Sequence, residues 1–214
     1  MTKKTIIFDF DGVILDSHIV KLEAYLSIFR KFGVNVEKKV KTYHLKNSGL
    51  SRFIQFKEIY KQILKKNIGK RKLEYLSKKF NYYSDKKILK LKIDKDLMNF
   101  FKNSKKNYNL YISTGTPNKK INYITKKMKI FKYFKKIYGS PKSKIQHIKE
   151  IKKKEKNKIT IFIGDSTEDY ESAKKTNIFF ILKSHNFNKN KFKNKRIKKI
   201  GNFKKLNKIL KSLS

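Results

Sequence analysis

The sequence predicts an α/β protein in which helices flank a parallel sheet and a further, all-helical domain is inserted into the chain. In residues 92–214, short apolar segments of strand length alternate with segments of helical spacing. Strands that are apolar throughout are typical of a parallel sheet covered on both faces. Residues 17–91 show no strand pattern. We therefore expect residues 1–16 and 92–214 to form the sheet domain, and residues 17–91 to form the helical insertion.

The first predicted strand, residues 5–11, lies within the segment TIIFDFDGVILDS. Asp9 and Asp11 fall at the end of this strand. Open α/β sheets bind their ligands just outside the carboxyl ends of the strands. Two carboxylates at such a place repel each other, so we expect a cation between them. Mg²⁺ is the natural candidate, because it prefers oxygen ligands and commonly accompanies phosphate groups.

The inserted segment has apolar residues at helical spacing throughout. They lie on one face of residues 17–31, and the pattern resumes in residues 53–80 after a break at Gly33. The insertion leaves the chain directly after the first strand. We therefore expect it to form a cap over the carboxyl end of that strand.

The remaining predicted elements alternate along the chain. Strands are predicted at residues 109–113, 159–163 and 178–182, and a short strand is predicted within residues 133–139. Helices are predicted at residues 96–105, 119–128, 144–154 and 168–176. The last segment, residues 184–214, is rich in Lys and Asn, but its apolar residues predict a short strand and a closing helix.

The composition is strongly basic, with a formal net charge of +41. Such a charge is compatible with a nucleic-acid-binding protein, and the segment Lys183–Lys205 is the feature that most favours this alternative. However, only four of the 57 basic residues are Arg, the residue that makes bidentate contacts to bases, and the Lys residues are spread over every segment. The composition therefore favours a general drift toward Lys, and we expect no specific nucleic-acid partner.

Other classes of protein are disfavoured by what the sequence lacks. It contains no Cys, which excludes disulfides, thiolate metal sites and a Cys nucleophile. No segment approaches the roughly 18 apolar residues that are needed to span a bilayer. The start of the chain does not resemble a signal peptide, because few apolar residues separate Lys4 from Asp9. We expect a cytoplasmic protein with no membrane partner, and nothing in the sequence specifies its oligomeric state.

Polar residues follow four of the predicted strands. They are Asp9 with Asp11, Thr114 with Gly115, a Lys after the turn at residues 139–141, and Asp165 with Asp169. If they converge, they supply the parts needed for phosphoryl transfer. One carboxylate can act as nucleophile and another as general acid and base. A hydroxyl, a backbone amide and a Lys can hold phosphate oxygens, and the remaining carboxylates can hold Mg²⁺.

In these motifs the chain resembles the haloacid dehalogenase-like superfamily, in the subfamily that has a helical cap after the first strand. DFDGVILDS is similar to the first motif of that family, DxDGxxxDS. The resemblance implies a Rossmann-like core with Asp9 as nucleophile. It also implies that Asp11 is the acid and base, and offers its backbone carbonyl to Mg²⁺. The dehalogenases lack this second acid, so Asp11 favours phosphate esters over carbon–halogen bonds.

The same resemblance assigns the other three motifs. Thr114 and the amide of Gly115 would bind phosphate, with Ser113 as the less favoured alternative to Thr114. The Lys of the third motif would be Lys144, with Lys142 as its competitor. In GDSTED, Asp165 would ligate the metal. Asp169 would ligate or support it.

The predicted cap contains the segment Gly49–Arg52, which resembles the GxSR segment in the caps of β-phosphoglucomutases. The resemblance implies that Arg52 binds a second anionic group of the substrate. The alternative is a surface Arg at a helix start capped by Ser51.

The function expected from these features is that of a magnesium-dependent phosphatase. Its substrate would be a small phosphomonoester, such as a sugar phosphate or a phosphoglycolate-like metabolite, and it would react through an aspartyl-phosphate. A phosphosugar mutase of the same fold and a basic nucleic-acid-binding protein are the alternatives.

Overall fold

The structure is a computed structural model that describes residues 3–155 and 159–213. The chain divides into two compact units. One, here called the sheet unit, comprises Met1–Asp16 and Lys92–Ser214. The other, here called the helical unit, comprises Ser17–Leu91.

The helical unit contains four α-helices in the part of the chain that the structure describes. They are α1 (His18–Phe29), α2 (Val34–Lys46), α3 (Arg52–Glu58) and α4 (Lys70–Lys90). A 3₁₀ turn at Arg30–Phe32 follows α1, and a π-helical turn at Ile59–Ile63 follows α3. Gly33 ends the first helical segment with a φ of 94°, a value that favours glycine.

Aromatic side chains fill the core of the helical unit. Tyr25 of α1 is fully buried, and its ring lies 5.2 Å from that of Phe56 and 5.0 Å from that of Phe80. Aromatic pairs at these separations bury much apolar surface and favour one packing geometry. The three helices α1, α3 and α4 are therefore joined through Tyr25.

The sheet unit is built on one parallel sheet. Its strands are β1 (Lys4–Phe8), β2 (Tyr108–Pro117), β3 (Lys136–Ser140), β4 (Thr160–Gly164), β5 (Phe179–Lys183) and β6 (Lys198–Ile200). They lie in the order β3-β2-β1-β4-β5-β6, and every neighbouring pair is parallel. The predicted α/β fold with a parallel sheet is confirmed.

Five helices belong to the sheet unit, among the residues described. They are α5 (Lys95–Asn103), α6 (Asn118–Lys127), α7 (Lys144–Glu155), α8 (Thr167–Lys175) and α9 (Leu206–Lys211). Short 3₁₀ turns occur at Phe131–Tyr133 and Lys189–Phe192. The turn at Lys189–Phe192 was not predicted, because the Lys- and Asn-rich segment around it shows no clear period.

The central strand β1 is covered on both faces. Successive residues of a strand point to opposite faces. Phe8 packs against the rings of Phe100 and Phe101 of α5, at 6.1 and 5.4 Å between centroids. Ile7 belongs to a separate cluster with Ile148 and Ile151 of α7. This double burial explains why the strand is apolar throughout.

Two predicted strand limits were wrong. The first strand ends at Phe8 rather than at residue 11, so that Asp9 and Asp11 lie beyond it. The strand β2 continues through Thr114 to Pro117, where a turn was predicted after residue 113. Its register with β3 shifts between Ser113 and Pro117. This irregularity accommodates a Gly and a Pro that would otherwise mark a turn.

A buried hydrogen bond fastens α7 to β2. The distance from Ser113 Oγ to His147 Nδ1 is 2.9 Å, and both side chains are buried. Burial lowers the pKa of His147 to about 4, and the nearby charge of Lys144 acts in the same direction. His147 is therefore neutral in the folded protein near pH 7.

This burial makes part of the stability pH-dependent. The pKa of His147 is 6.5 in the unfolded chain and about 4 in the folded protein. Between these two pH values, the unfolded chain binds a proton at His147 that the folded protein does not bind. Acidification through this range therefore lowers the stability of the folded protein. We measure the free energy of unfolding of the wild type and of His147→Gln by urea titration at about pH 7.5 and about pH 5. The value of the wild type minus that of the variant should be about 2 kcal/mol smaller at the lower pH. An unchanged difference would contradict the buried neutral state of His147.

Candidate active site

The carboxyl ends of β1 and β4 meet at the centre of the sheet. The chain runs from β1 to β2 and β3 on one side, and then crosses to β4, β5 and β6 on the other. The point where the strand order reverses therefore lies between β1 and β4, and such a point opens a crevice for ligands. Asp9 directly follows β1 and Asp165 directly follows β4.

Asp9 is fixed by its own backbone and by its neighbour. Its N–H donates to the carbonyl of Ile163 at 2.9 Å, which extends the pairing of β1 with β4 by one residue. Its Oδ1 accepts a hydrogen bond from the N–H of Phe10 at 2.7 Å, and the side chain is buried. The carboxylate is thus held in place directly beyond the strand.

Lys144, the first residue of α7, reaches the same place. Its Nζ donates to Asp169 Oδ1 at 2.6 Å and to Asp9 Oδ2 at 3.1 Å. Glu168 Oε2 lies 3.9 Å from the same Nζ. The side chain of Lys144 is only 2% exposed. This single ammonium group therefore connects the start of α7 to the residue that follows β1 and to the first turn of α8.

Asp169 is held by the start of α8. Its Oδ2 accepts hydrogen bonds from the N–H of Ser166 at 3.0 Å, from Ser166 Oγ at 2.6 Å and from the N–H of Asp165 at 3.2 Å. Ser166 Oγ in turn accepts from the N–H of Asp169, which completes a capping box. A Cβ at Gly164 would lie 2.4 Å from that of Asp169, so the GD pair leaves room for glycine alone.

This group carries more negative than positive charge. Burial raises the pKa of Asp9 well above its ordinary value; Lys144 opposes this shift, while Asp169, Asp165 and Asp11 add to it. Burial alone would lower the pKa of Lys144, but Asp169, Asp9 and Glu168 raise it well above its usual value. Asp9 therefore holds its proton more tightly chiefly because it is buried, and Lys144 does so because carboxylates surround it. Among the described residues, Lys144 thus faces three carboxylates, those of Asp9, Glu168 and Asp169.

The donor set fits Mg²⁺. Carboxylate oxygens of Asp9, Asp165 and Asp169 lie within 4.8 Å of one another. Hard divalent cations prefer such oxygen ligands, and a cation would supply the missing positive charge. Both oxygens of Asp169 already accept hydrogen bonds. Of the two roles predicted for Asp169, these contacts favour support of the site.

Asp11 contacts β2. Its Oδ2 accepts a hydrogen bond from Thr116 Oγ1 at 2.9 Å and lies 3.5 Å from Thr114 Oγ1. Thr114 and Thr116 are two residues apart, which is the spacing that brings side chains to the same face of a strand. Ser113 instead bonds to His147. Of the two hydroxyls proposed from the sequence, Thr114 is therefore the one near Asp11.

The two candidate lysines have different surroundings. Lys144 is buried and contacts Asp9, whereas the side chain of Lys142 is 59% exposed and pairs with Glu150 at 2.6 Å. The cluster of carboxylates therefore includes Lys144 and not Lys142.

Sequence reasoning missed three contacts of the predicted residues. Thr116 donates to Asp11, Glu168 lies beside Lys144, and His185 Nε2 lies 3.0 Å from Asp165 Oδ2. The two-residue spacing from Thr114 could have indicated Thr116, and the position inside GDSTED could have indicated Glu168. No local pattern marks His185. Burial raises the pKa of Glu168 to about 7, and Asp169 adds to this effect although Lys144 opposes it.

Arg52 lies in the helical unit as the first residue of α3. Ser51 caps this helix by accepting a hydrogen bond from the N–H of Ile54 at 3.4 Å. Arg52 Nη1 donates to Asn81 Oδ1 at 2.5 Å, and its guanidinium lies 4.4 Å from the centroid of the Phe80 ring. The residue is 6% exposed, so it is not an ordinary surface Arg.

Comparison with known proteins identifies the family. The family model described as haloacid dehalogenase-like hydrolase matches residues 6–183. The chain belongs to this family. The match spans most of the chain, including Asp9, Lys144 and Asp165, and confirms the resemblance seen in the motifs. A search of curated proteins found no match.

Solved structures of other proteins share the fold. β-Phosphoglucomutase from Clostridium difficile has a TM-score of 0.78 at 19% identity, covering 99% of this chain and 96% of its own. A predicted phosphatase from Clostridium acetobutylicum has a TM-score of 0.77 at 20% identity, covering 100% of both chains. A predicted phosphoglycolate phosphatase from Haemophilus somnus has a TM-score of 0.75 at 17% identity, covering 98% of this chain and 99% of its own.

Among the described residues, no helix has both the length and the apolar character needed to cross a membrane.

The contacts of the two lysines predict unequal effects on stability. Lys144→Met leaves buried carboxylates without their cation, and we expect it to lower the free energy of unfolding by about 3–5 kcal/mol. Lys142→Met removes an exposed ion pair and should cost less than about 1 kcal/mol. The free energy of unfolding of each variant is measured by urea titration in the presence of a chelator, so that bound metal does not contribute to stability. Equal losses would contradict the bridging role of Lys144.

Proposed function

We propose that this protein is a magnesium-dependent phosphatase that hydrolyses a small phosphomonoester through an aspartyl-phosphate at Asp9. The observation that carries the proposal is the contact of Asp9 with buried Lys144 at the carboxyl end of β1. A carboxylate held at this place by a cation can approach a phosphoryl group despite the negative charge that both carry.

In the first step, an oxygen of Asp9 attacks phosphorus, and the bond from phosphorus to the leaving oxygen breaks. Asp11 donates a proton to that oxygen, so the alcohol leaves as a neutral molecule. In the second step, Asp11 takes a proton from water, which attacks phosphorus and releases inorganic phosphate and free Asp9. A single carboxyl group can serve both steps because the first leaves it as a base.

The remaining residues of the site neutralise negative charge and orient the reacting groups. Lys144 neutralises negative charge shared by Asp9 and the transferring group, and Thr114 Oγ1 and the N–H of Gly115 bind phosphate oxygens. Asp9, Asp165 and the backbone carbonyl of Asp11 would hold Mg²⁺, supported by Asp169. When bound, the ion neutralises phosphate oxygens and orients the group for attack. Thr116 keeps Asp11 in place through its hydrogen bond at 2.9 Å.

In this function, the helical unit selects the substrate. Arg52 presents a planar donor group that suits a second phosphate or a carboxylate. Its hydrogen bond to Asn81 and its contact with Phe80 restrict the guanidinium to one orientation. A fixed donor group loses less freedom on binding an anion than a mobile one does.

The nucleophile is tested by Asp9→Asn. Because the amide cannot form the phosphorylated intermediate, we expect phosphate release to fall by at least about 10³-fold. The measurement is a phosphate-release screen with Mg²⁺ over phosphorylated metabolites. Asp94→Asn is a matched control, because Asp94 caps α5, where Asn is an equally good cap.

Three outcomes of this screen would contradict parts of the proposal. Wild-type turnover in Asp9→Asn would exclude Asp9 as nucleophile. Full activity in excess chelator would exclude the requirement for Mg²⁺. Formation of an isomerised sugar phosphate without release of free phosphate would indicate a mutase instead.

Arg52→Ala tests the role of the helical unit. We expect KM to rise about tenfold or more for substrates with a second anionic group, and little for an aryl phosphate, because only the former lose a charge-assisted contact. The ratio of kcat/KM for the two substrates is measured on one preparation, so partial unfolding cancels. Arg71→Ala, at an exposed Arg, is the control. Equal effects on both substrates would assign Arg52 a purely structural role.

A further inference from the structure

The turn that follows β5 contacts Asp165 through a side chain. His185 Nε2 lies 3.0 Å from Asp165 Oδ2, and the Asp165 side chain is only 4% exposed. This turn, residues 184–188, lies just outside the segment that matches the family model, which ends at residue 183.

The hydrogen bond that His185 Nδ1 accepts shows which group donates between His185 Nε2 and Asp165. The N–H of Phe187 donates to His185 Nδ1 at 3.2 Å. A nitrogen that accepts a hydrogen bond carries no proton, so in this network the proton of the neutral imidazole is assigned to Nε2. His185 Nε2 is therefore the donor and Asp165 Oδ2 is the acceptor. A backbone group of the same turn selects this tautomer.

Asn188 fixes the turn to the backbone of Asp165. Its Nδ2 donates to the carbonyl of Asp165 at 2.8 Å and to that of Lys183 at 2.9 Å. Its Oδ1 accepts from the N–H of His185 at 2.9 Å. Asn188 is 2% exposed, so these bonds are shielded from competing water. The backbone and the side chain of Asp165 are thus both bonded to one short turn.

We propose that His185 is a positioning residue that holds the Asp165 carboxylate in the orientation required to bind a divalent cation. A hydrogen bond from a neutral donor to Oδ2 leaves the negative charge of the carboxylate in place and restricts its rotation. In that orientation, one carboxylate oxygen each of Asp165, Asp9 and Asp169 lie within 4.8 Å of one another. Hydrogen-bond partners of metal ligands commonly contribute about 10–100-fold to metal affinity. The inference rests on the proposed metal site.

The test measures Mn²⁺ binding to the full chain without substrate, by electron paramagnetic resonance, with Mg²⁺ affinity obtained by competition. His185→Phe keeps a ring of similar size but removes the donor, and we expect the dissociation constant to rise about tenfold or more. His185→Gln places an amide N–H near the position of Nε2 and should restore binding to within about threefold. His185→Asn is too short to reach Asp165 and should resemble His185→Phe.

Two further variants separate the possible failures. Asn186→Ala, at an exposed position of the same turn, should bind Mn²⁺ as the wild type does. Asp165→Asn should weaken binding strongly, and an unchanged affinity in that variant would overturn the proposed metal site itself. If Asp165→Asn weakens binding while His185→Phe and His185→Asn do not, the proposed positioning role of His185 is wrong. Equal weakening in His185→Gln and His185→Phe would also overturn this role, because a hydrogen-bond donor at residue 185 would then make no difference. If His185→Phe does not fold, the Gln and Asn pair decides alone.

Discussion

The arrangement of the sheet unit depends on one buried ammonium group. Lys144 is the only buried Lys among the residues that the structure describes, and its Nζ bonds to Asp9 after β1 and to Asp169 in α8. Burying a charge is favourable only when partners compensate for the loss of water. Here several carboxylates surround one ammonium group, an imbalance that raises the pKa of Lys144, while burial is the main cause that raises the pKa of Asp9. The same imbalance makes the site suitable for a further cation.

The acidic cluster lies within a chain of opposite overall charge. The net charge of +41 comes from Lys residues spread over the sequence, and the described lysines other than Lys144 are exposed or partly exposed. A positive field of this kind accelerates the approach of small anions at low salt without selecting among them. The acidic cluster is therefore compatible with the positive field of the whole chain. The carboxylates can hold a cation locally, while the field attracts phosphate groups from solution. Selection between substrates requires fixed donors, and under the proposed function the guanidinium of Arg52, which contacts Asn81 and Phe80, is one of them.

The sequence predicted the alternation of elements because apolar strands and amphipathic helices carry their periods in local residues. It also located Asp9 and Asp165 at strand ends. The limit of β2 was missed because a Gly and a Pro that usually form a turn here lie in an irregular strand. The resemblance favoured Lys144, but spacing alone left Lys142 open, since the choice depends on which side chain points inward where the chain enters α7. His185 was missed for a similar reason: its partner is 20 residues away, and only the tertiary fold brings them together.

The position of β1 between β2 and β4 also bears on how the chain folds. Lys4 pairs with Tyr108 on one side, and Thr5 pairs with Thr160 on the other. During synthesis, the strand that precedes Asp9 leaves the ribosome before β2 and β4, and its second edge stays unpaired until β4 has been made. An apolar strand that waits in this way is exposed to aggregation, and pairing over long sequence separations is slow. The helical unit, whose residues are contiguous, can meanwhile fold on local contacts and shorten the loop that β1 and β2 must close.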